Sequence, residues 1–224
     1  MENYENYISL GSSCCPGLSL KELSLKTETY PFDWVRSNNK IIYDILSNGP
    51  QKFLSIEGEL SDEFYINEMY NTHYGKTKPK NMKVNYYGQH FTHYTNLSTA
   101  QIVEKFTRYI DRFFKVLNSN QKVLFIQSHE DYIVHKKTRD ARDEFYDYLC
   151  KISNILDRNY PNLNYHIINI EIDNYFDNSE HITNLNINYN SGVSDNCENF
   201  KKKNEQRLGV YRDSVTNAVK QFLK

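Results

Sequence analysis

The residues of this chain most suited to chemistry are Cys14 and Cys15, which follow a short apolar run and a tight turn. Tyr7–Leu10 has the apolar character of a strand, Gly11–Ser13 interrupts it, and Pro16 is tolerated in the first turn of a helix. At such a strand–turn–helix junction, free backbone N–H groups and the helix dipole favour a thiolate over a thiol. The sequence therefore predicts a candidate nucleophile, with two small buried cysteines in an ordinary turn as the alternative.

A thiol nucleophile needs a base, and two histidine-bearing segments could supply one. His129 lies in the polar segment Gln127–Asp131, directly after a predicted buried strand, where a neighbouring carboxylate could orient its ring. His90 and His93 lie in a segment predicted to be extended, so their spacing directs them to opposite sides of a sheet. By position alone His129 is the better candidate, although strand-to-helix loops are polar in most proteins.

Metal and nucleotide sites have little support in the sequence. Zinc sites use Cys or His pairs two to five residues apart, and His90 and His93 stand far from any cysteine. The Gly-x-Gly-x-x-Gly and Gly-x-x-x-x-Gly-Lys-Ser/Thr patterns do not occur, so we expect no metal and no cofactor. The Gly11–Cys14 turn could still hold a phosphate on its backbone N–H groups, which keeps a binding module as an alternative.

Composition and charge argue against nucleic-acid and membrane partners and against a secreted protein. The chain has 224 residues and a formal charge of −1, so its charge balance does not indicate a nucleic-acid partner. The four cysteines show neither a Cys-x-x-Cys pair nor the spacing of a secreted disulfide framework. The polar N-terminus does not resemble a secretion signal, and no apolar run approaches the ~20 residues of a membrane span. We expect a reducing, cytoplasmic location and no membrane partner.

The second half of the chain alternates amphipathic helices with apolar runs that predict buried strands. Ser98–Gln101 is a capping box that opens a helix to about Leu117, with apolar residues at three- and four-residue steps. Lys122–Ile126 is apolar after its first residue, as in strands of a parallel sheet that are buried on both faces. The other predicted elements are helices over 139–157 and 205–223 and strands over 165–172 and 185–189.

The first half is less regular. A helix is predicted over 18–25, and a second over 40–46 with Asn39 as its N-cap. Residues 51–97 predict an irregular insert, with a helix over 64–70 and a strand or strand pair over 84–94. The succession predicts a single three-layer α/β domain over 1–224, with a mostly parallel sheet and the nucleophile turn after its first strand. Sheets of this class bind ligands at the carboxyl ends of their strands.

Four segments also follow one another in a recognisable order. They are Ser9-Leu-Gly-Ser-Ser-Cys14, Pro31-Phe-Asp-Trp34, Phe91-Thr-His93, and the helix segment Arg108–Phe113 before the apolar run Val123–Ile126. Together they resemble an uncharacterised bacterial and viral family described as papain-like cysteine peptidases. The resemblance covers about residues 7–130, and the first two segments are its specific part.

This resemblance implies roles for individual residues. It implies Cys14 as the nucleophile, His93 as the base and Asp33 as the acid that orients the imidazole. It therefore reverses the order of His93 and His129 that position alone favours. An oxyanion could be stabilised by the backbone N–H of Ser13 or Cys15. The supporting residues of such a site are Ser12, Ser13, Cys15, Trp34, Arg108 and His129.

Two departures from the family pattern bear on activity. Family members often carry an acid directly after the histidine, where this chain has Tyr94, and often end the following strand with Arg, where it has Gln127. A papain fold also places its cysteine on a helix before a mainly antiparallel barrel, whereas this chain predicts alternating strands and helices. A strand–Gly-x-x-Cys–helix pattern equally suits an α/β hydrolase-like fold with cysteine as nucleophile.

The leading functional hypothesis is a thiol hydrolase or acyl transferase that acts on a peptide or acyl substrate without a cofactor. A viral member of the family would be located in the host cytoplasm. The first alternative is a non-catalytic α/β module that binds an anionic or sugar-phosphate ligand at the first turn. The second is a host-interaction protein with a degenerate site, an interpretation that Tyr94 and Gln127 favour.

Overall fold

The computed structural model describes residues 3–11, 13–57, 83–128, 139–172, 176–187 and 200–224. Seven helical or turn elements and six strands are present in these ranges. In chain order they are β1 (Asn6–Ser9), α1 (Cys15–Glu22), α2 (Asn39–Asn48), α3 (Gln51–Leu54), β2 (Ile56–Glu57), β3 (Val84–Asn85), a 3₁₀ turn (Thr92–Tyr94), α4 (Thr99–Leu117), β4 (Lys122–Ser128), α5 (Arg139–Asn159), β5 (Asn164–Glu171), β6 (Ile182–Asn186) and α6 (Phe200–Phe222).

The main sheet has four parallel strands in the order β1-β4-β5-β6. In β4, every residue from Val123 to Ser128 is buried, as expected for a central strand covered on both faces. A separate two-stranded antiparallel sheet pairs β2 with β3. The predicted α/β class with a mostly parallel sheet is therefore confirmed.

Two hydrophobic cores cover the two faces of the main sheet. Val123 and Phe125 of β4 face a large core with α2, α4 and α5. Leu124 and Ile126, which alternate with them, face a smaller core with α1 and α6. The sheet is thus the middle of three layers. No helix in the described ranges is both long and apolar enough to span a membrane.

Several local predictions can be compared with the structure. The capping box at Ser98 and Gln101 is present, with both reciprocal hydrogen bonds. The N-cap of α2 is Asn38 rather than Asn39, because the Asn38 side chain accepts from the Ile41 amide while the Asn39 side chain donates to Phe145. The predicted helix over 64–70 lies outside the described residues.

The strand or strand pair predicted over 84–94 is present only in part, as β3 and a bridge at His90, and it is wrong over Thr92–Tyr94. His90 forms only an isolated bridge with Val84, after a turn in which Gly88 has a φ of +71°. The chain then enters the 3₁₀ turn over Thr92–Tyr94. The two-residue alternation that would send His90 and His93 to opposite faces of a sheet does not apply.

The turn after β1 depends on Gly11, whose φ is +83°. This left-handed conformation is strained for residues with a Cβ. A Cβ on Gly11 would also lie 3.1 Å from the Cβ of Ser37 and 3.2 Å from the Cβ of Phe32. Glycine therefore allows the segment around Phe32–Ser37 to pack directly over the end of β1, next to Cys14.

Candidate active site

Cys14 occupies the N-cap position of α1, immediately after the turn at the carboxyl end of β1. Its side chain makes no capping hydrogen bond to the helix, so the sulfur is available to other partners. The neighbouring turn is fixed by the Cys15 amide, which donates to Ser13 Oγ at 3.1 Å. Cys14 is partly exposed, whereas Ser13 and Cys15 are buried. Of the two adjacent cysteines, Cys14 is thus the one with an accessible side chain.

His93 comes to Cys14 from the 3₁₀ turn, and aromatic packing fixes that turn. Phe91 is fully buried and makes an edge-to-face contact with Phe106 of α4, at 4.9 Å between ring centroids. Tyr94 is also buried and contacts Phe106 at 5.3 Å. His93 lies between these two anchors and is itself exposed. Its ring contacts Trp34 edge-to-face at 5.6 Å, which restrains its orientation.

The sulfur of Cys14 lies in an environment that favours the thiolate. Hydrogen bonds from the Cys15 thiol and the His93 imidazole, with the charges of His93 and Arg36, lower the pKa of Cys14 from 9.0 to about 5. Burial acts in the opposite direction and is outweighed. A thiolate beside an imidazole can attack an electrophilic carbonyl and exchange a proton with the leaving group.

Asp33 is buried, and its described contacts are with residues other than Cys14 and His93. Its Oδ2 accepts a hydrogen bond from the Tyr30 amide at 2.7 Å and forms an ion pair with Lys26 Nζ at 2.6 Å. Burial raises the pKa of Asp33, and the Lys26 charge and both contacts oppose that rise. Among the described contacts of Asp33 there is none to His93, so its link to the imidazole is indirect.

The indirect link runs through Lys26 and Trp34. Lys26 Nζ lies 4.9 Å from the centre of the Trp34 ring, which in turn contacts His93. Asp33 also packs against α1, because a Cβ on Gly17 would lie 3.2 Å from its backbone oxygen and from Oδ1. Asp33 therefore contacts α1, whose N-cap position is Cys14, and it pairs with the lysine that lies over the Trp34 ring.

Other predicted residues fall in different places. Arg108 lies on the exposed surface of α4, where it pairs with Glu104 at 3.5 Å, and the described contacts do not bring it to Cys14. Ser12 and His129 lie outside the described residues. Tyr94, which replaces the acid common in the family, is a buried core residue rather than a surface group. Gln127 is fully buried at the end of β4.

Lys26 and Arg36 were not predicted to belong to the site. Arg36 contributes positive charge to Cys14 and to His90, and its backbone carbonyl accepts from Gln89 Nε2 at 2.7 Å. Its position two residues after the segment Pro31–Trp34, which carries the resemblance, was a usable signal. Lys26 had none, because it stands in a polar stretch typical of surface loops.

Metal ligation has no structural basis in the ranges that are described. They contain no group of three or more His, Cys, Asp or Glu residues that could hold an ion.

Comparison with known proteins finds a matching family and a viral relative. A family model described as "Putative papain-like cysteine peptidase" matches residues 5–175, a range that contains Cys14, Asp33 and His93. An uncharacterized protein of Acanthamoeba polyphaga mimivirus is 27% identical over 165 residues, which is 68% of this chain and 73% of that protein. No solved structure matches the chain.

Proposed function

The chain belongs to the family described as "Putative papain-like cysteine peptidase", and from that membership and the Cys14–His93 pair we propose that it is a thiol-dependent hydrolase or acyl transferase. The substrate carries an amide or other acyl bond. Cys14 is the nucleophile, His93 exchanges the proton, and Asp33 acts as a positioning residue through Lys26 and Trp34. The parallel sheet and the position of Cys14 at its carboxyl edge are compatible with this chemistry.

One observation carries the proposal, namely the hydrogen bond between the Cys14 sulfur and the His93 imidazole, which helps to lower the pKa of Cys14. With a pKa of about 5 the sulfur is mostly thiolate at pH 6, whereas a thiol with the ordinary value of 9.0 is only about 0.1% ionised there. Lowering the pKa also weakens the thiolate as a nucleophile, so the net gain in rate at pH 6 is on the order of tenfold. Such a gain at acidic to neutral pH is characteristic of activated rather than structural cysteines.

The proposed reaction proceeds in two balanced steps. The Cys14 thiolate attacks the carbonyl carbon, the C–N or C–O bond to the leaving group breaks, and protonated His93 gives that group its proton. The resulting thioester is then attacked by water or another acceptor, whose proton passes to His93 as the thiolate is released. The Ser13 N–H is the proposed oxyanion donor, because the Cys15 N–H already donates to Ser13 Oγ.

A thioester probe that acylates cysteines tests this assignment. Cys14→Ala is expected to abolish acylation and to retain the far-UV circular dichroism of the wild type. Cys15→Ala is the matched control: it removes the neighbouring hydrogen bond but keeps the nucleophile, so acylation should slow and not disappear. Acylation of Cys14→Ala at the wild-type rate would contradict the proposal.

A further inference from the structure

A second thiol lies next to the proposed nucleophile, and the chemistry proposed above does not consume it. Cys15 is the first residue of α1 and is only 4% exposed. Its thiol is hydrogen-bonded to the sulfur of Cys14, which is partly exposed. Neither cysteine is part of a disulfide in the structure. The turn therefore carries one sulfur that a small solute can reach and a second sulfur held against it in the interior.

The surroundings of Cys14 favour oxidation as well as acylation. Oxidation by a peroxide begins at a thiolate, and it selects cysteines that are both ionised and accessible. Hydrogen bonds from Cys15 and His93 lower the pKa of Cys14 to about 5, so its sulfur is ionised at neutral pH. When the thiolate attacks one oxygen of hydrogen peroxide, the O–O bond breaks and the departing hydroxide takes a proton from His93. Cys14 is left as a sulfenic acid.

Cys15 is placed to react with that sulfenic acid, because a sulfenic acid condenses with a thiol to a disulfide. The Cys15 sulfur attacks the Cys14 sulfur, the S–O bond breaks, and the hydroxyl group leaves as water with the proton of Cys15. In sum, two thiols and one hydrogen peroxide give one disulfide and two waters. Since the attack comes from within the turn, the burial of Cys15 does not hinder it.

The geometry of adjacent cysteines makes such a bridge reversible. Neighbouring Cα atoms lie about 3.8 Å apart across a trans peptide, below the usual disulfide range of about 4.4–6.8 Å. A bridge between Cys14 and Cys15 is therefore strained, and strained disulfides are reduced more easily than structural ones. The backbone can adapt to it, because Pro16 disfavours a helical conformation at the residue before it. The Cys15 amide also bonds to Ser13 Oγ rather than to a helix carbonyl.

We propose that hydrogen peroxide oxidises Cys14 and that Cys15 resolves the product to a reversible Cys14–Cys15 disulfide. This inference rests on the proposed function, because it requires the same thiolate and adds a redox control of its activity. The bridge blocks the nucleophile while it lasts. It also keeps Cys14 from further oxidation to the sulfinic acid, which thiols do not reduce.

Peptide mapping of the oxidised full-length protein tests the inference. Trypsin leaves Cys14 and Cys15 together in the peptide Met1–Lys21, which contains no other cysteine. After a limited dose of hydrogen peroxide, mapping without reductant should show a loss of two hydrogens at these cysteines and no link to another peptide. Dithiothreitol should restore both the mass and the original rate of Cys14 acylation. Cys150, whose pKa is raised by burial, should stay reduced in the same sample.

Cys15→Ser is the matched variant, since it keeps Cys14 and replaces only the resolving sulfur. Its Cys14 should stop at the sulfenic acid, which dimedone traps as a covalent adduct, whereas the oxidised wild type should give little adduct. Prolonged peroxide should then add further oxygen to Cys14 of the variant, so that dithiothreitol restores much less of its acylation than in the wild type. If serine at this buried position destabilises the fold, Cys15→Ala should give the same result.

The outcomes separate this inference from the proposed function. Equal dimedone labelling of the wild type and Cys15→Ser, or peroxide that only adds oxygen to wild-type Cys14, would overturn the inference alone. A loss of two hydrogens that persists in Cys15→Ser would also overturn it, because it would indicate a cyclic sulfenamide on the backbone nitrogen of residue 15. If peroxide modifies Cys14 as slowly as Cys150, and iodoacetamide reacts with Cys14 as with an ordinary thiol, the proposed function is contradicted as well.

Discussion

Replacing His93 by alanine is expected to slow the acylation of Cys14 at pH 6 on the order of a hundredfold, the lower range for loss of a general base. The imidazole contributes both a hydrogen bond and a positive charge to the Cys14 sulfur. Without them the pKa of Cys14 should rise from about 5 toward the ordinary value of 9.0. The variant would therefore have less thiolate at pH 6 and no group to protonate the leaving group.

His181→Ala is the matched control for this prediction. His181 is a partly exposed histidine that pairs with Asp157 at 3.5 Å and stacks on Tyr165, away from the described contacts of Cys14. The His181→Ala variant should therefore be acylated at Cys14 at the wild-type rate. The rates are measured by intact-mass spectrometry over a series of pH values. A His93→Ala variant that keeps the wild-type rate and midpoint would show that His93 is not the base.

Replacing Lys26 by methionine should lower the free energy of unfolding by about 3–5 kcal/mol at pH 7, the range found when one partner of a buried ion pair is removed. The Lys26 side chain is 8% exposed and that of Asp33 only 1%, so the carboxylate would be left in the interior without its counter-charge. Asp33→Asn in the same chain should restore part of the loss, since it removes the stranded charge and keeps an acceptor for the Tyr30 amide.

The pH dependence of Lys26→Met follows from the same burial. The pKa of Asp33 is raised in the folded protein, and removing the ammonium raises it further. A carboxyl group with a raised pKa stabilises the fold below its unfolded pKa of 3.8, and this contribution is lost as pH rises through the folded pKa. Urea unfolding should therefore show a smaller loss near pH 4 than at pH 7. A loss below 1 kcal/mol at pH 7 would contradict the structural role assigned to this ion pair.

The sheet and its helices were predictable because their signals are local. Val123–Ile126 is apolar at consecutive positions, and a strand of that kind can be buried only between two layers. The Ser98–Gln101 capping box fixes the start of α4 within the sequence itself. For α2, two adjacent asparagines could each cap the helix, and only the contact of Asn39 with Phe145 decides in favour of Asn38.

The 3₁₀ turn that carries His93 was not predicted, because it depends on contacts with a helix elsewhere in the chain. Phe91 and Tyr94 are buried against Phe106, which lies in the following helix α4. Local sequence around the histidines does not reveal this tertiary contact. In a 3₁₀ turn, residues three apart lie on the same side, so both rings can contact Phe106, whereas a strand would place them on opposite faces. His93 consequently ranked below His129 by position, and only the resemblance to the family raised it.

The charged residues near Cys14 and Asp33 could not be predicted from the sequence, because tertiary packing brings them there. Cys14 is recognisable from the pattern strand, Gly-x-x-Cys and Pro, which is local. The positive charge of Arg36 and the ion pair of Lys26 depend on how the segment around Pro31–Trp34 folds over the end of β1. The burial of the Gln127 side chain in β4 without a described hydrogen-bond partner likewise depends on tertiary packing, which its neighbours in sequence do not reveal.

The pH dependence of Cys14 alkylation by iodoacetamide, followed by mass spectrometry of the modified peptide, tests the central claim most directly. Cys150 is an internal control in the same sample, because burial raises its pKa above the ordinary 9.0. The activated thiolate predicts half-maximal reactivity of Cys14 near pH 5 and of Cys150 above pH 9. Half-maximal reactivity of Cys14 near pH 9 would contradict a thiolate nucleophile at this turn.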